Sequence, residues 1–432
     1  MSKQLFHAII LCGGEGSRLR PYTDTLPKTL VPILNKPILR YQLEWLTAYG
    51  ITHVTLATGR LHHCIEEYIP SCQDLNLQIS FHQEDLPRGT AGCLYGLPIT
   101  ETTLVVYGDL LINMDIQRFA NHHFKHQSDA TLLVHPNDHP HDSDLVTLNK
   151  QHRITQFHPK PHPSLTRYQN LVSAAMYIIE PQISSFIPEK GDFIRDVFMP
   201  LVQSHTITGY SSPEYVKDVG TLQRLQEVAT DITSGRFDQQ TLQKSQKAIF
   251  LDRDGTLCID QNNRTMPDTL ELLPHVAKAI KQINRSSFLA ILVTNQPGVA
   301  KGFITDNDVQ LTHQELETAL AKEGAYLDHI YYCPHHPEKG FSGEIPELKI
   351  NCNCRKPNIG MFKQAENDFN IDLSQSYMIG DTLRDIDASK NAKMTGLLVN
   401  STDTKAAPDK QFESVVEGIQ WILEKRDCLN SK

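Results

Sequence analysis

The chain has no long run of lysine or arginine, no apolar run long enough to span a membrane, no internal repeat and no low-complexity tract. With a formal charge of −9, the missing basic run argues against nucleic acid or an anionic membrane as main partner. The first apolar run, 6–11, is too short for a signal-peptide core and leads straight into Gly13-Gly14, so it reads as a buried first strand. Nine cysteines, an odd number in a long chain without a leader, point to a reducing cytoplasm and away from a disulfide framework. The rest is ordinary globular composition, 40% hydrophobic and 21% charged, and 432 residues suffice for two or three domains with their own cores.

Two α/β patterns follow one another. Apolar runs at 6–11, 53–58, 103–107 and 130–135 alternate with helical segments, as in a parallel sheet flanked by helices. A second set, 248–251, 289–293, 329–332, 377–379 and 396–399, repeats the pattern. Between them 221–247 is polar and helix-forming, broken only at Ser234-Gly235. The expected organisation is two doubly wound, Rossmann-like domains, 1–235 and 247–432, joined by a linker at 236–246. Nine histidines between His122 and His162 fit no metal-ligand spacing and read as a solvated, variable region.

In the second domain, the first strand ends in Asp252-Arg-Asp254-Gly255-Thr256. A carboxylate there can attack phosphorus, and its neighbour two positions on can handle the leaving-group proton. The next strand ends in Thr294-Asn295-Gln296, where a hydroxyl and an amide, Thr294 and Asn295, can hold phosphate oxygens. Arg355-Lys356-Pro357 supplies cations for a transferring phosphoryl group. Strand 377–379 ends in Gly380-Asp381-Thr-Leu-Arg-Asp385, which with Asp252 makes a hard oxygen site suited to Mg²⁺. Cys333-Pro-His335, followed sixteen residues later by Cys352-Asn-Cys354, offers three thiolates and an imidazole, enough for tetrahedral structural zinc, with His336 as a competing ligand.

This set resembles the haloacid dehalogenase superfamily of aspartyl-phosphate phosphatases over 247–423. The resemblance implies Asp252 as nucleophile, Asp254 as general acid/base and, through its backbone carbonyl, a magnesium ligand. It implies that Thr294 grips the phosphate, Lys356 stabilises the phosphorylated aspartate, Asp381 ligates Mg²⁺ and Asp385 supports it. Cys-Pro-His-His-Pro followed by Cys-x-Cys-Arg-Lys-Pro is similar to the heptose bisphosphate phosphatases, with histidinol-phosphate phosphatases as near relatives. That likeness implies His335 as zinc ligand and Arg355 as a contact to substrate phosphate. With 41 residues between Asp252 and Thr294 there is little room for a large cap, so the zinc loop is expected to shape the substrate entrance. Pro297 and Thr382 stand where relatives often carry serine and lysine.

In the first domain, Gly13-Gly14-Glu-Gly16-Ser-Arg18-Leu-Arg-Pro21 leads to Pro27-Lys28. Glycines after a strand let backbone N–H groups approach phosphate, while Arg18 and Lys28 add charge. The extension resembles the nucleoside-triphosphate:sugar-1-phosphate nucleotidyltransferases and continues through Arg88-Gly89-Thr90-Ala91-Gly92, Gly108-Asp109 and Asp218-Val-Gly220-Thr221. The resemblance, over about 5–230, implies Mg²⁺ on Asp109 and Asp218 and stabilisation of the α-phosphate by the metal and Arg18. Pro159-Lys160-Pro161 and Ser173-Ala174-Ala175 depart from the family's Glu-Lys-Pro and Asn-Ala-Gly, which leaves the sugar open; Lys160 can still meet the sugar phosphate.

Together the resemblances imply removal of the 7-phosphate from D-glycero-D-manno-heptose 1,7-bisphosphate and nucleotidyl transfer to heptose 1-phosphate, with GTP and the α anomer as first choice. The alternatives are the same pair of activities on mannose 1-phosphate and another ester such as histidinol phosphate, or a non-catalytic first domain regulating the phosphatase.

Overall fold

The computed structural model describes residues 6–162, 167–262, 264–401 and 407–430, with side chains to 425. The chain separates into two compact units: Met1–His135, Ser143–Pro161 and Leu171–Gln243 form one, and Pro136–Asp142, His162–Asn170 and Lys244–Lys432 the other.

At the centre of the first unit lies the strand His7–Leu11, paired in parallel with His53–Thr58 on one flank and Thr103–Tyr107 on the other. Gln78–Gln83 extends the parallel array beyond His53–Thr58. Ala8 and Ile10 point into one apolar core while Ile9 points into a second, so both faces are covered and the strand reads as an unbroken apolar run. Beyond Thr103–Tyr107 the sheet changes sense. Val172–Ile179 pairs antiparallel with both Thr103–Tyr107 and Ala130–His135. The sheet is therefore mixed where a parallel one was expected, because a buried apolar run looks the same in either pairing. A separate ribbon joins Leu110–Asn113 to Tyr215–Asp218, with Asp218 opposite Leu110.

The boundary between the units, Gln243 to Lys244, lies within the stretch 236–246 read as a linker; the first part of that stretch packs on the first unit, where Phe237 sets its ring edge against Tyr41 and Tyr215 and the Leu242 N–H donates to Glu214 Oε1 at 2.7 Å. The histidine-rich region is not uniformly solvated: His123 is buried, bonded to Thr131 Oγ1 at 2.8 Å and Glu180 Oε1 at 3.1 Å, and the rings of His122 and His126 lie 4.2 Å apart. Its segments 136–142 and 162–170 fold with the second unit, where Arg167 pairs with Asp268 and, at 2.6 Å, with Glu315.

The second unit holds a six-stranded, all-parallel sheet in the order His329–Cys333, Phe288–Asn295, Lys247–Leu251, Tyr377–Gly380, Thr395–Val399, Lys410–Phe412. Lys247–Leu251 lies between the strands that end at Asn295 and Gly380, so Asp252, Thr294 and Asp381 leave the same carboxyl edge side by side. Among the described residues no helix is long and apolar enough to cross a membrane.

Candidate active sites

Asp252 is held at the end of its strand by its backbone N–H, which donates to Ile379 O at 3.0 Å. Oxygens of Asp252, Asp381 and Asp385 lie within 4.8 Å of one another, a spacing and chemistry that fit Mg²⁺. Burial, together with the carboxylates of Asp385 and Asp254, pushes Asp252 up to about 6 although Lys356 opposes the shift. Burial and the neighbouring Asp252 and Asp385 push Asp381 up to about 7, and its Oδ1 is buried without a hydrogen-bond partner. An unpartnered buried oxygen among three crowded carboxylates fits a divalent cation, which would satisfy the oxygen and offset the crowded charge. Gly255 has φ +77°, and a Cβ there would lie 2.1 Å from Asp381 Oδ2, so only glycine leaves room for the Asp381 carboxylate.

Lys356 is buried and places its ammonium 3.0 Å from Asp252 Oδ1 and 2.6 Å from Asp385 Oδ1, donating also to Val293 O at 2.8 Å. Burial opposes its charge, but the two carboxylates outweigh that and hold its pKa above the ordinary lysine value. The Asn295 side chain brackets the Lys356 backbone, accepting from the N–H at 3.0 Å and donating to the carbonyl at 3.1 Å. Thr294 is buried beside Gln296, whose Nε2 donates to its hydroxyl at 3.0 Å.

A residue not singled out in the sequence shapes the surroundings of Asp254. Arg253 is fully buried and binds Asp254 Oδ2 at 2.9 Å and Gln296 Oε1 at 2.8 Å. Gln296 and Thr265 also donate to Asp254, at 2.8 and 3.0 Å. Burial alone would raise Asp254, yet Arg253 and these donors outweigh it and hold the carboxyl below its usual range.

Cys333, His335, Cys352 and Cys354 converge with Sγ···Sγ separations of 3.1–3.5 Å, and His335 Nδ1 lies 3.3 Å from Cys354 and 3.6 Å from Cys333. Four ligands on tetrahedron edges of this length fit zinc, whose bonds of about 2.0–2.3 Å require edges of that order. His336 stands outside the cluster, its Nδ1 3.4 Å from Glu338 O. Arg355, next to Cys354, donates to His335 O at 3.3 Å. Burial and the nearby Arg384 lower its pKa from the usual arginine value.

In the first unit, Arg18, Lys28 and Asp218 gather around Gly220: a Cβ there would lie 2.7 Å from Asp218 Oδ1, 3.3 Å from Arg18 Nη2 and 3.7 Å from Lys28 Nζ. Lys28 is ion-paired with Asp109, and the Val219 N–H donates to Asp109 O at 2.7 Å, which draws the two aspartates' segments together. Asp218 is ion-paired with Arg224, a partner the motif did not reveal. Gly16 has φ +63°, and a Cβ on Gly108 would meet Leu11 O at 2.6 Å, so both positions need glycine to bring backbone close. Gly14, by contrast, has open space around it. Gly89 packs against the carbonyl of Gly191, and the Thr90 hydroxyl donates to Asp192 Oδ2 at 2.7 Å, so this pair braces the 191–193 turn. Lys160 is exposed, tied by its backbone to Asp144 and Arg195.

Two classes of enzyme are thus carried on one chain. A nucleotidyl transferase family model matches residues 7–235 and a HAD-hydrolase-like model residues 353–420. The D-glycero-beta-D-manno-heptose-1,7-bisphosphate 7-phosphatase of Haemophilus ducreyi is 40% identical over 184 residues, 41% of this chain and 98% of that protein. The Yersinia pestis protein of the same name is 38% identical over 40% of this chain and 94% of its own length. Among solved structures, HddC from Yersinia pseudotuberculosis matches at 21% identity and TM-score 0.46, covering 53% of this chain and all of that one. The D,D-heptose 1.7-bisphosphate phosphatase of B. bronchiseptica, complexed with magnesium and phosphate, matches at 29% identity and TM-score 0.37, over 41% of this chain and 99% of that one. The chain belongs to the nucleotidyl transferase family and, at the same time, to the family of its heptose-bisphosphate phosphatase relatives.

Proposed function

We propose that the protein carries out two consecutive steps of nucleotide-activated heptose synthesis. The second unit removes the 7-phosphate from D-glycero-D-manno-heptose 1,7-bisphosphate, and the first transfers a nucleotidyl group, from GTP, to the resulting heptose 1-phosphate. The 40% identity to a 7-phosphatase over almost that enzyme's full length carries the first step. It is supported by Asp252, Asp254, Lys356 and the three-carboxylate cluster meeting at one sheet edge.

An Asp252 oxygen attacks phosphorus, the P–O bond to the sugar breaks, and the leaving oxygen takes its proton from Asp254. Arrival of an anionic phosphate beside Asp254 offsets Arg253 and raises its affinity for that proton. Water, deprotonated by Asp254, then attacks the phosphoaspartate and releases phosphate, with the Lys356 ammonium beside the charge on Asp252 throughout. Asp252, Asp381 and the Asp254 carbonyl, supported by Asp385, would hold Mg²⁺, which would supply positive charge to balance the phosphoryl oxygens. In the first unit the sugar phosphate displaces pyrophosphate from the α-phosphorus of the nucleotide, with Arg18 and Lys28 balancing its charge, and Asp109 and Asp218 would hold the Mg²⁺ that adds to that charge balance. Both reactions use small phosphorylated substrates of a reducing cytoplasm.

The curated relatives are named for the β anomer, whereas the guanylyltransferase resemblance implies the α anomer. The test compares both. Purified protein with Mg²⁺ should release one phosphate from heptose 1,7-bisphosphate, and pyrophosphate from GTP plus heptose 1-phosphate of the preferred anomer. Turnover of mannose 1-phosphate with no heptose phosphate accepted would replace this reading, and phosphatase activity without any pyrophosphate would make the first unit a binding module.

A further inference from the structure

We infer that His122, His126 and His152 form a binding site for a divalent transition metal such as zinc, separate from the Cys/His cluster and from the carboxylates of both active sites. The three belong to the histidine-rich region, whose spacing along the chain fits no metal template, and folding supplies what that spacing does not. His122 and His126 stand one turn apart at the end of the helix Ile116–Lys125, where residues i and i+4 share a face. His152 comes from the turn that links the strands Leu145–Leu148 and Ile154–His158. The ring centres lie 4.2 Å apart for His122 and His126, 5.2 Å for His122 and His152, and 5.5 Å for His126 and His152. With metal–nitrogen bonds of about 2.0–2.1 Å, imidazole centres on one ion stand about 4.5–5.2 Å from each other, for bond angles from square to tetrahedral. The observed triangle brackets that range.

Each side chain is prepared as a ligand. His126 Nδ1 donates to His122 O at 2.9 Å, which fixes the proton on Nδ1 and leaves the lone pair on Nε2, the arrangement a backbone carbonyl gives a metal-bound histidine. His122 Nε2 is buried with no hydrogen-bond partner among the described residues, and a bond to a metal would satisfy it. Burial, then the rings of His126 and His152, push His122 down to about 3, so at neutral pH it is the uncharged, ligating form. His152 has φ +59° in a turn held by Asn149, whose Oδ1 accepts from the Gln151 N–H at 2.9 Å and the Arg153 N–H at 3.0 Å. The His152 carbonyl accepts from the Gly209 N–H at 2.9 Å, which ties the turn to the strand Ile207–Ser211. On that strand the Tyr210 ring lies 5.3 Å from His122 and stacks on Phe119, an apolar floor beneath the cluster. His152 is exposed, which gives an ion its way in.

The nitrogens of the three rings do not converge as the ligand atoms of the Cys/His cluster do. Binding therefore turns rings in place. Histidine χ2 is broad and roughly two-fold, so rotating His122 and His152 brings a nitrogen of each toward the shared centre without moving the backbone. Three uncharged ligands without a thiolate leave a position for water and hold the ion more loosely than the Cys/His cluster holds its own, so this site exchanges its metal. A bound ion clips the turn at 149–152 to the end of the helix Ile116–Lys125.

The test titrates Zn²⁺ by calorimetry into the full-length protein with its Cys/His cluster already loaded and Mg²⁺ in excess to occupy the carboxylates. Wild type should take up one further equivalent, and its Tm should rise with it, since an ion that binds the folded state stabilises it. His126→Gln and His152→Asn should each weaken that uptake by about tenfold or more, because each removes one of three ligands. Asparagine tolerates the left-handed backbone at position 152, so the turn survives the substitution. Unchanged circular dichroism reports that both variants have folded. No further equivalent in wild type, full uptake by both variants, or loss of uptake in only one of them would each overturn the three-histidine site. Co²⁺ taken up in place of this Zn²⁺ should show no thiolate charge-transfer band. That band on the further equivalent would assign the ion to cysteine and overturn the site as well.

Discussion

Asp252 and Asp381 bind protons more tightly in the fold than in the unfolded chain, because burial and neighbouring carboxylates, Asp385 and Asp254 around Asp252 and Asp252 and Asp385 around Asp381, penalise ionisation. The sign follows. Between their unfolded value of 3.8 and their folded values of about 6 and 7, the metal-free protein loses stability as pH rises, since the folded state must give up protons it holds. A cation at the cluster removes that penalty, and it competes with protons for the same oxygens. Mg²⁺ affinity should therefore improve by about tenfold per pH unit up to neutrality, and the Mg²⁺-induced rise in Tm should be larger at pH 8 than at pH 5.5. Equal rises at both pH values would mean the carboxylates are already ionised at pH 5.5. In the other unit, Asp109→Ala removes the carboxylate that Lys28 engages and the proposed Mg²⁺ ligand. Pyrophosphate release should fall at least about a hundredfold, as for loss of a group acting on the transition-state charge, while phosphatase rates stay unchanged. An unchanged transfer rate would place the metal elsewhere. At this scale the sequence revealed residues that sit in named motifs and end strands. It did not reveal Arg253 or Arg224, whose partners Gln296 and Asp218 stand 43 and 6 positions away and are brought to them only by folding.

The Cys/His cluster lies a few covalent bonds from Lys356. Cys354 is one of its four side chains, Arg355 follows it and reaches His335 O, and Lys356 comes next with its backbone clasped by Asn295. Fixing Cys354 thus fixes the start of the segment that aims Lys356 at Asp252. One equivalent of zinc should copurify, and Cys352→Ser should lose it together with most phosphatase activity, while pyrophosphate release persists because that site has its own core. Full zinc content in Cys352→Ser would break the ligand set; zinc loss with unchanged phosphatase kcat would break the link to Lys356. The elements themselves were legible where apolar runs are bounded by polar turns, as at 7–11, 53–58 and 247–251. Their pairing was not: Val-Ser-Ala-Ala-Met-Tyr-Ile-Ile at 172–179 looks like any buried strand, and only contacts with 103–107 and 130–135 make it antiparallel. Nor do Pro136–Asp142 and His162–Asn170 carry a pattern that assigns them to the second unit, since polar excursions of this length have no periodicity to read.

Across the whole molecule, two separate cores support two separate sites, so the activities should be separable by mutation yet ordered by chemistry. The phosphatase's proposed cut leaves the 1-phosphate, and that phosphate is the nucleophile for the nucleoside triphosphate. Given heptose 1,7-bisphosphate, GTP and Mg²⁺, phosphate should appear before pyrophosphate. Asp252→Asn, which removes the attacking carboxylate but not its volume, should stop both products from the bisphosphate, yet still release pyrophosphate from added heptose 1-phosphate. Tethering two sites raises the local concentration of an intermediate only as far as the linking geometry allows, and a small sugar phosphate diffuses away unless enclosed. Unlabelled heptose 1-phosphate added to the wild-type reaction should therefore dilute label arriving from the bisphosphate. Pyrophosphate formed from the bisphosphate by Asp252→Asn would reverse the order, because the transferase would then be acting on a sugar that still bears its 7-phosphate. Label that resists dilution would instead mean the intermediate passes between sites without release, a property that neither site requires for its own reaction.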